Sequence, residues 1–543
     1  MGCETKNFGR AWLVSFDRAV SPGERPTPTG LVAREYITGK QIAIDGAELQ
    51  DARCPYPLDA DSLVVTYDAP AVLGCHLVLG WPMPANVIDL HAEYRCQTAG
   101  LDLARGDDVQ DALDYFGVAG DGPDVMQGLL DAMLPRISLG HALLRGRYTA
   151  AVARMEDVGI PIDVETLDRL RQWREPLLDA LIRQADEQYG VFDGNKFNCR
   201  RWQAWVNRNR IPWPRSEPGR LDLSLEAFRD MAKAYPVVRP MQELQATLAQ
   251  LRSAVPPAGH DGRNRCQLRP FATKTGRNAP STTQFVFGPA TWIRGLIKPQ
   301  EGMAVAYVDY EQQEFGIAAA LSSDEGMKEA YCSGDPYLTF AQQARAVPAG
   351  ATKATHGHER DQFKQCALGV QYGMTAKGLG RRLRISPKEA QRLLRLHKDT
   401  YPRYWHWSDK VVRQGRKDGK LQSVYGWTRT VGKGSKSRSL RNFPLQANGA
   451  EMLRLACCVL TEAGARVCAP VHDAVLIEAR ENEIEEAVAY CQDVMAKASE
   501  AVLPGFQLRT EAKVVRYPDR YMDARGKKMW ATVTDLLGQV RAA

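Results

Sequence analysis

Two aspartates, Asp309 and Asp473, offer the clearest chemistry in this sequence. Asp309 closes the apolar run Val305-Ala306-Tyr307-Val308 in VAYVDYEQQEF, and Asp473 sits in RVCAPVHDAVLIEA, where His472-Asp473 divides two apolar stretches. A carboxylate at the end of a buried strand is costly unless a cation offsets it. Oxygen-only ligation by paired carboxylates suits Mg²⁺, which keeps water and takes phosphate oxygens as its other ligands. Two such ions activate a hydroxyl nucleophile and stabilise a leaving pyrophosphate. Either aspartate taken alone reads better as an ordinary turn residue. The chemistry requires that their strands be neighbours in one sheet.

The segment between them adds the complementary charge. RDQFKQCALGVQYGM places Arg360, Lys364, Leu368 and Tyr372 at successive intervals of four. That spacing lays them along one helical face. Arginine and lysine on such a face hold the β- and γ-phosphates of a nucleoside triphosphate. Tyr372, followed by Gly373, presents a ring to stack on a base where the helix ends. A solvated basic face is the plainer account, and a leucine and a tyrosine on that face fit it poorly.

The elements that must position these groups follow from the chain as a whole. Its 543 residues are too many for one core and predict two to four domains. A hydrophobic fraction of 44% and a charged fraction of 25% are those of a globular protein. The formal net charge of +7 permits a polyanionic partner. Twelve cysteines without a CxxC pair predict a reducing compartment and thiols that fill cores. The start, MGCETKNFGRAWLVSF, lacks the apolar stretch of a signal peptide, and no apolar run is long enough to span a membrane. The expected location is the cytoplasm.

Residues 1–135 read as a small α/β domain with strands at AWLVSF and SLVVTY and a helix at VLGCHLVLG. Residues 136–265 are helical and basic. Within them FNCRRWQAWVNRNRIPWPR interleaves arginine with tryptophan, as a Trp-rich inner face or as a surface for a nucleic-acid backbone. Residues 266–345 alternate strand, turn and helix, and 350–420 are helical and rich in Lys and Arg. Residues 440–543 hold the helix GAEMLRLACCVLTEAG, a strand pair around His472-Asp473 and a further helix.

Three blocks together resemble the motifs of family-A DNA polymerases: DYEQQE is similar to motif A, R-x3-K-x7-YG to motif B, and VHD to motif C. Two flanking blocks, TKTGRNAPS and RSLRNFPLQANGAEM, match as well. The likeness is nearest to the compact polymerases of phages and integrated elements. It implies a right-hand polymerase of α/β and α+β domains, with thumb at 136–265, palm at 266–345 and 441–543, and fingers at 346–440. An RNase H-like, exonuclease-type domain at 1–135 precedes them. By this resemblance Asp309 and Asp473 hold two Mg²⁺ ions, replaceable by Mn²⁺, with the Tyr310 carbonyl completing a site. Glu314 closes the space beside the sugar 2′ position. Arg360 and Lys364 bind the triphosphate, Lys364 also serving catalysis, and Tyr372 stands by the templating position. Arg277, Arg438, Asn442, Gln446 and His472 touch primer or template. The implied partners are primer–template DNA and dNTPs, and the implied state is a monomer, with accessory factors allowed.

Two positions depart from the family pattern. Leu368 stands where an aromatic ring usually packs near the incoming sugar, and Ala474 replaces the acid that often follows the HD pair. In relatives the preceding domain is a 3′→5′ exonuclease with Asp-x-Glu, a second Asp, and Tyr-x3-Asp. The corresponding positions here are Ser15-Phe16-Asp17, Asp68, and Asp124 with Gly120 in place of the tyrosine. The loss of one ligand predicts absent or weak proofreading. No room remains before residue 15 for a 5′-nuclease. His356 and His358 in ATHGHER read as loop or helix-start residues, since no cysteine or acid cluster accompanies them. A single-subunit RNA polymerase shares the fold, and Glu314 argues against it. A non-catalytic DNA-binding accessory protein is the other alternative; retention of Asp309, Asp473, Arg360 and Lys364 argues against that.

Overall fold

Alternating apolar residues near the amino terminus fold into a five-stranded mixed sheet in the computed structural model, which describes residues 8–101, 106, 108–120, 123–217, 219–252 and 256–542. The strands are β1 (Arg10–Ala19), β2 (Thr27–Glu35), β3 (Gln41–Asp45), β4 (Ser62–Thr66) and β5 (Val87–Asp89), in the order β3-β2-β1-β4-β5. The pairs β1–β2 and β2–β3 are antiparallel, whereas β1–β4 and β4–β5 are parallel. All five residues of β4 are buried, as a strand inside a sheet covered on both faces must be. Period-two alternation splits β1 between two cores. Trp12 and Val14 pack with Leu31 and Trp81 on one face, and Ala11 and Leu13 with Val65 and Tyr94 on the other. Helices α1 (Ala69–Val78), α2 (Leu90–Thr98) and α3 (Pro123–Met133) cover the faces.

The boundary expected at residue 135 crosses no gap. Helix α4 (Leu139–Val158) packs against β5 and α1 on one side and against the carboxy-terminal half on the other. Its Gly146 lies so close to β5 that a Cβ there would stand 1.9 Å from the Val87 carbonyl oxygen. The helix ends at Gly159, whose φ of 64° favours glycine. In the helical region that follows, α5 (Cys199–Arg208) turns Trp202 inward, stacked on Trp205 at 4.9 Å and edge-on to Trp213 at 5.0 Å. Trp202 and Trp213 are buried, so these rings fill a core and are not free to stack on bases.

The second sheet is built from distant segments. In chain order come β6 (Met303–Tyr310), α6 (Gln313–Ser322), α7 (Pro336–Gln343), α8 (Gly357–Gln371), the hairpin β7 (Lys420–Gln422) and β8 (Thr428–Thr430), and α9 (Ser437–Glu462). They are followed by β9 (Arg466–Val471), β10 (Ala474–Arg480), α10 (Ile484–Val502) and β11 (Thr510–Arg516). The sheet order is β9-β10-β6-β11, antiparallel throughout. Helices α9 and α10 pack on it. Glu478 of β10 is buried and accepts from Arg263 and Arg466, each at 2.8 Å, tying the sheet to the segment that leaves the helical region. One continuous core runs from that region through the sheet to α8. The eleven described cysteines are all free, and seven are buried, in line with thiols used as packing. No described helix is long and apolar enough to cross a membrane.

Candidate active site

Strand register decides where the two aspartates fall. β6 pairs with β10 from Met303 opposite Arg480 to Asp309 opposite Ala474. Asp309, one residue before the end of β6, therefore lies at the β9–β10 turn that carries His472 and Asp473. His472 takes the left-handed conformation, φ 60°, and the Tyr310 N–H donates to the Asp473 carbonyl at 3.3 Å. The two carboxyls lie within hydrogen-bonding reach of each other. Asp309 keeps one buried oxygen, Oδ1, with no partner. Burial pushes Asp309 well above the usual carboxylate range, and the charges of Asp473 and of Glu511, directly opposite on β11, push it further. Burial also raises Asp473, which the Arg277 guanidinium partly offsets. A bare oxygen beside a second carboxylate fits a divalent cation, which would relieve both the repulsion and the desolvation. No group of three or more His, Cys, Asp or Glu side chains suited to a metal occurs among the described residues.

The basic face sits on α8. Phe363, Cys366, Ala367 and Val370 are buried, leaving Arg360, Lys364 and the half-buried Leu368 on the other side. Tyr372 caps the helix, is 47% exposed, and donates its hydroxyl to Glu314 Oε1 at 2.9 Å. Glu314 lies in the first turn of α6 with Arg277 Nη2 3.9 Å away and the Gln446 amide beside it. Burial raises the Glu314 carboxyl, and Tyr372 and Arg277 oppose that. The carboxylate is thus held as a fixed wall of the cleft. Gly373 has φ 63°, and a Cβ on it would come 2.4 Å from the Arg438 Cβ. This close approach brings the end of α8 onto the first turn of α9. There Arg438 is exposed and Asn442 Nδ2 donates to the Gln371 carbonyl at 3.4 Å. Asp309, Asp473, Arg277, Glu314, Tyr372 and Gln446 accordingly form one interacting cluster, with Arg438 and Asn442 packed beside the end of α8.

Sequence reasoning missed two residues that hold the cations. Asp335 caps α7 and accepts from Arg360 Nε at 2.5 Å. The Tyr337 ring, 4% exposed, lies under both Arg360 at 5.8 Å and Lys364 Nζ at 5.6 Å. Asp335-Pro336 is a helix-start signal, but nothing in the sequence ties it to α8.

The amino-terminal acids are not brought together in this way. Asp17 is exposed near the end of β1, opposite Gly30. Asp68 precedes α1 in a left-handed conformation, φ 68°, with Arg18 at 3.7 Å. Asp124 is exposed on α3 and ion-paired to Arg34 at 2.6 Å. A fourth acid, Asp89, escaped notice. It is buried and accepts from the backbone N–H groups of Ala69 at 3.0 Å and His91 at 2.9 Å. Burial, chiefly, pushes it up to about 6. Its signal was an Asp immediately before LHAEY, a helix N-cap.

Comparison with known proteins agrees with this geometry. The family model described as DNA polymerase family A matches residues 223–516, more than half of the chain. The thermostable DNA polymerase I of Thermus thermophilus is 28% identical over 385 residues, covering 65% of this chain and 45% of the relative. The DNA polymerase I of Deinococcus radiodurans is 26% identical over 392 residues, covering 66% of this chain and 40% of that protein. This chain thus covers less than half the length of these curated relatives. Among solved structures, the POL domain of Pol1 from M. smegmatis, in complex with DNA primer-template and dNTP, superposes with a TM-score of 0.73 at 21% identity. That match covers 94% of this chain and 96% of the other. The match across residues 223–516, which spans the four-stranded sheet with Asp309 and Asp473, leads to one conclusion: the chain belongs to DNA polymerase family A.

Proposed function

We propose that the chain is a DNA-directed DNA polymerase that adds dNTPs to a primer 3′-hydroxyl under direction of a template. The observation that carries this reading is the register of β6 on β10, which sets Asp309 beside Asp473 in a cleft walled by Glu314 and Tyr372. Bound Mg²⁺, or Mn²⁺ in its place, would be held by Asp309, Asp473 and the Tyr310 carbonyl, and would supply the positive charge that phosphoryl transfer needs. The remaining work belongs to the chain. Arg360 and Lys364 hold the triphosphate, Arg360 exchanging Asp335 for phosphate oxygens. Glu314 occupies the space a ribose 2′-hydroxyl would need. Tyr372 presents its ring to the nascent base pair, while Arg277 and His472 fix the primer end. Arg438, Asn442 and Gln446 face the duplex. Catalysis then consists of in-line positioning and charge neutralisation.

In this reading residues 136–265 form the thumb, 266–345 and 441–543 the palm, and 346–440 the fingers. Residues 1–135 are an exonuclease-type domain with absent or weak proofreading. Ser15 and Gly120 at ligand and tyrosine positions support this, as does the pairing of Asp68 and Asp124 with arginines. The protein works as a monomer on primer–template DNA in the cytoplasm.

Primer extension with each dNTP and each rNTP, in Mg²⁺ and in Mn²⁺, tests the proposal. Templated addition of dNTPs with rNTPs refused is expected; rNTP use at equal rate points to an RNA polymerase, and no addition to a non-catalytic DNA binder. A mismatched primer incubated without nucleotides should stay intact. Rapid 3′ trimming that disappears in Asp68→Ala overturns the account of the first domain.

A further inference from the structure

We propose that α2 of the amino-terminal domain is a positioning element for the primer–template cleft, and that Arg95 and Gly100 transmit it. The inference rests on the polymerase reading and assigns to the first domain a task other than hydrolysis.

α2 is anchored on its inner side. Glu93, buried, accepts two bonds from the buried Arg145 of α4, at 2.6 and 2.8 Å. From this base the helix reaches two separate parts of the cleft. Arg95 Nη2 donates to the Ala272 carbonyl at 2.6 Å. Ala272 adjoins Thr273, whose hydroxyl accepts from the Arg277 N–H at 2.9 Å and whose carbonyl accepts from Gly276 at 3.0 Å. Arg95 therefore fixes the base of the turn that aims Arg277. At the end of α2 the Ala99 carbonyl accepts from the Thr430 N–H of β8 at 2.8 Å. Gly100 follows with φ 91°, and a Cβ there would stand 2.5 Å from the Thr430 oxygen. The adjacent Arg429 donates to the Ser439 carbonyl at 2.8 Å, in the first turn of α9 beside Arg438.

The two arms are locked to each other by Trp427. Its ring stacks on Phe271 at 5.3 Å and 19°, its indole N–H donates to the Lys274 carbonyl at 3.2 Å, and Gly276 packs so closely on it that a Cβ there would stand 2.9 Å from the ring. α2 thus braces both the Arg277 turn and the hairpin behind Arg438. Neither contact involves Asp17, Asp68 or Asp124.

The test uses the full chain and measures primer–template affinity by fluorescence anisotropy without nucleotide, beside dNTP KM at saturating DNA. Arg95→Ala removes a part-buried bond of a charged donor, which predicts a rise in DNA Kd of about tenfold. Gly100→Ala strains the Thr430 junction and moves Kd the same way. In both, dNTP KM stays within about twofold, and Arg95→Lys, which keeps a donor, recovers most of the affinity. If Arg95→Ala fails to fold, Arg95→Gln takes its place. An unchanged DNA Kd in folded variants, or equal rises in DNA Kd and dNTP KM, overturns the proposal. Because DNA Kd is read without catalysis, its outcome is separate from any failure of the wild type to extend a primer.

Discussion

Asp309 and Asp473 are held close enough that both cannot ionise cheaply without a cation. Asp309→Asn removes one charge and keeps the shape. Without divalent metal it should stabilise the fold by about 1 kcal/mol at neutral pH, while extension falls by roughly three orders of magnitude. The pH dependence has a definite sign. The folded Asp309 carboxyl titrates above its unfolded value of about 4. Its contribution is fully present below that value and is lost as pH rises through the folded pKa. Metal-free wild type should lose more stability over that window than Asp309→Asn, in which the raised Asp473 still titrates, and thermal melts at stepped pH measure the difference. Leu368 occupies the half-buried place on α8 between Lys364 and Tyr372. Leu368→Tyr should change the ratio of dideoxy- to deoxynucleotide incorporation, read on one template; an unchanged ratio counts against this placement. At this scale the four-residue spacing on α8 and the two strand-end acids were legible in sequence. Asp335 and Tyr337 were not, since their partners lie across a fold contact that no periodicity encodes.

Elements were legible where one periodicity dominated. The strand before Asp309, the two strands around His472-Asp473 and the helix over Arg360 follow from apolar spacing. The tryptophan segment was open between two readings, because a ring facing a core and a ring facing a nucleic acid have the same helical spacing. Burial of Trp202 and Trp213 settles that for packing. α2 shows what capping adds. Asp89 accepts from four backbone N–H groups, those of Asp68, Ala69, His91 and Ala92, and so joins the starts of α1 and α2. Asp89→Ala leaves these donors buried and should cost about 2–3 kcal/mol in chemical denaturation. If α2 braces the cleft, the same variant weakens DNA binding before it unfolds.

Across the whole molecule, the sequence reads as an α/β start and a polymerase-like remainder, and each part holds one of the two larger sheets. It could not reveal that α4 serves both halves, because a helix buried on two sides has no single apolar stripe. Nor does spacing reveal long-range ion pairs such as Arg263–Glu478. Glu478 is buried against Arg263, so Glu478→Gln should destabilise the chain by about 3 kcal/mol, since it leaves the buried Arg263 without its charge partner. The most direct test of the central claim is single-turnover addition of one templated dNTP, by wild type and by Asp473→Asn, with DNA Kd measured in parallel. The account predicts addition by the wild type, slowing of the variant by about a thousandfold or more, and DNA affinity within about twofold. A variant that adds the nucleotide at nearly the wild-type rate contradicts it.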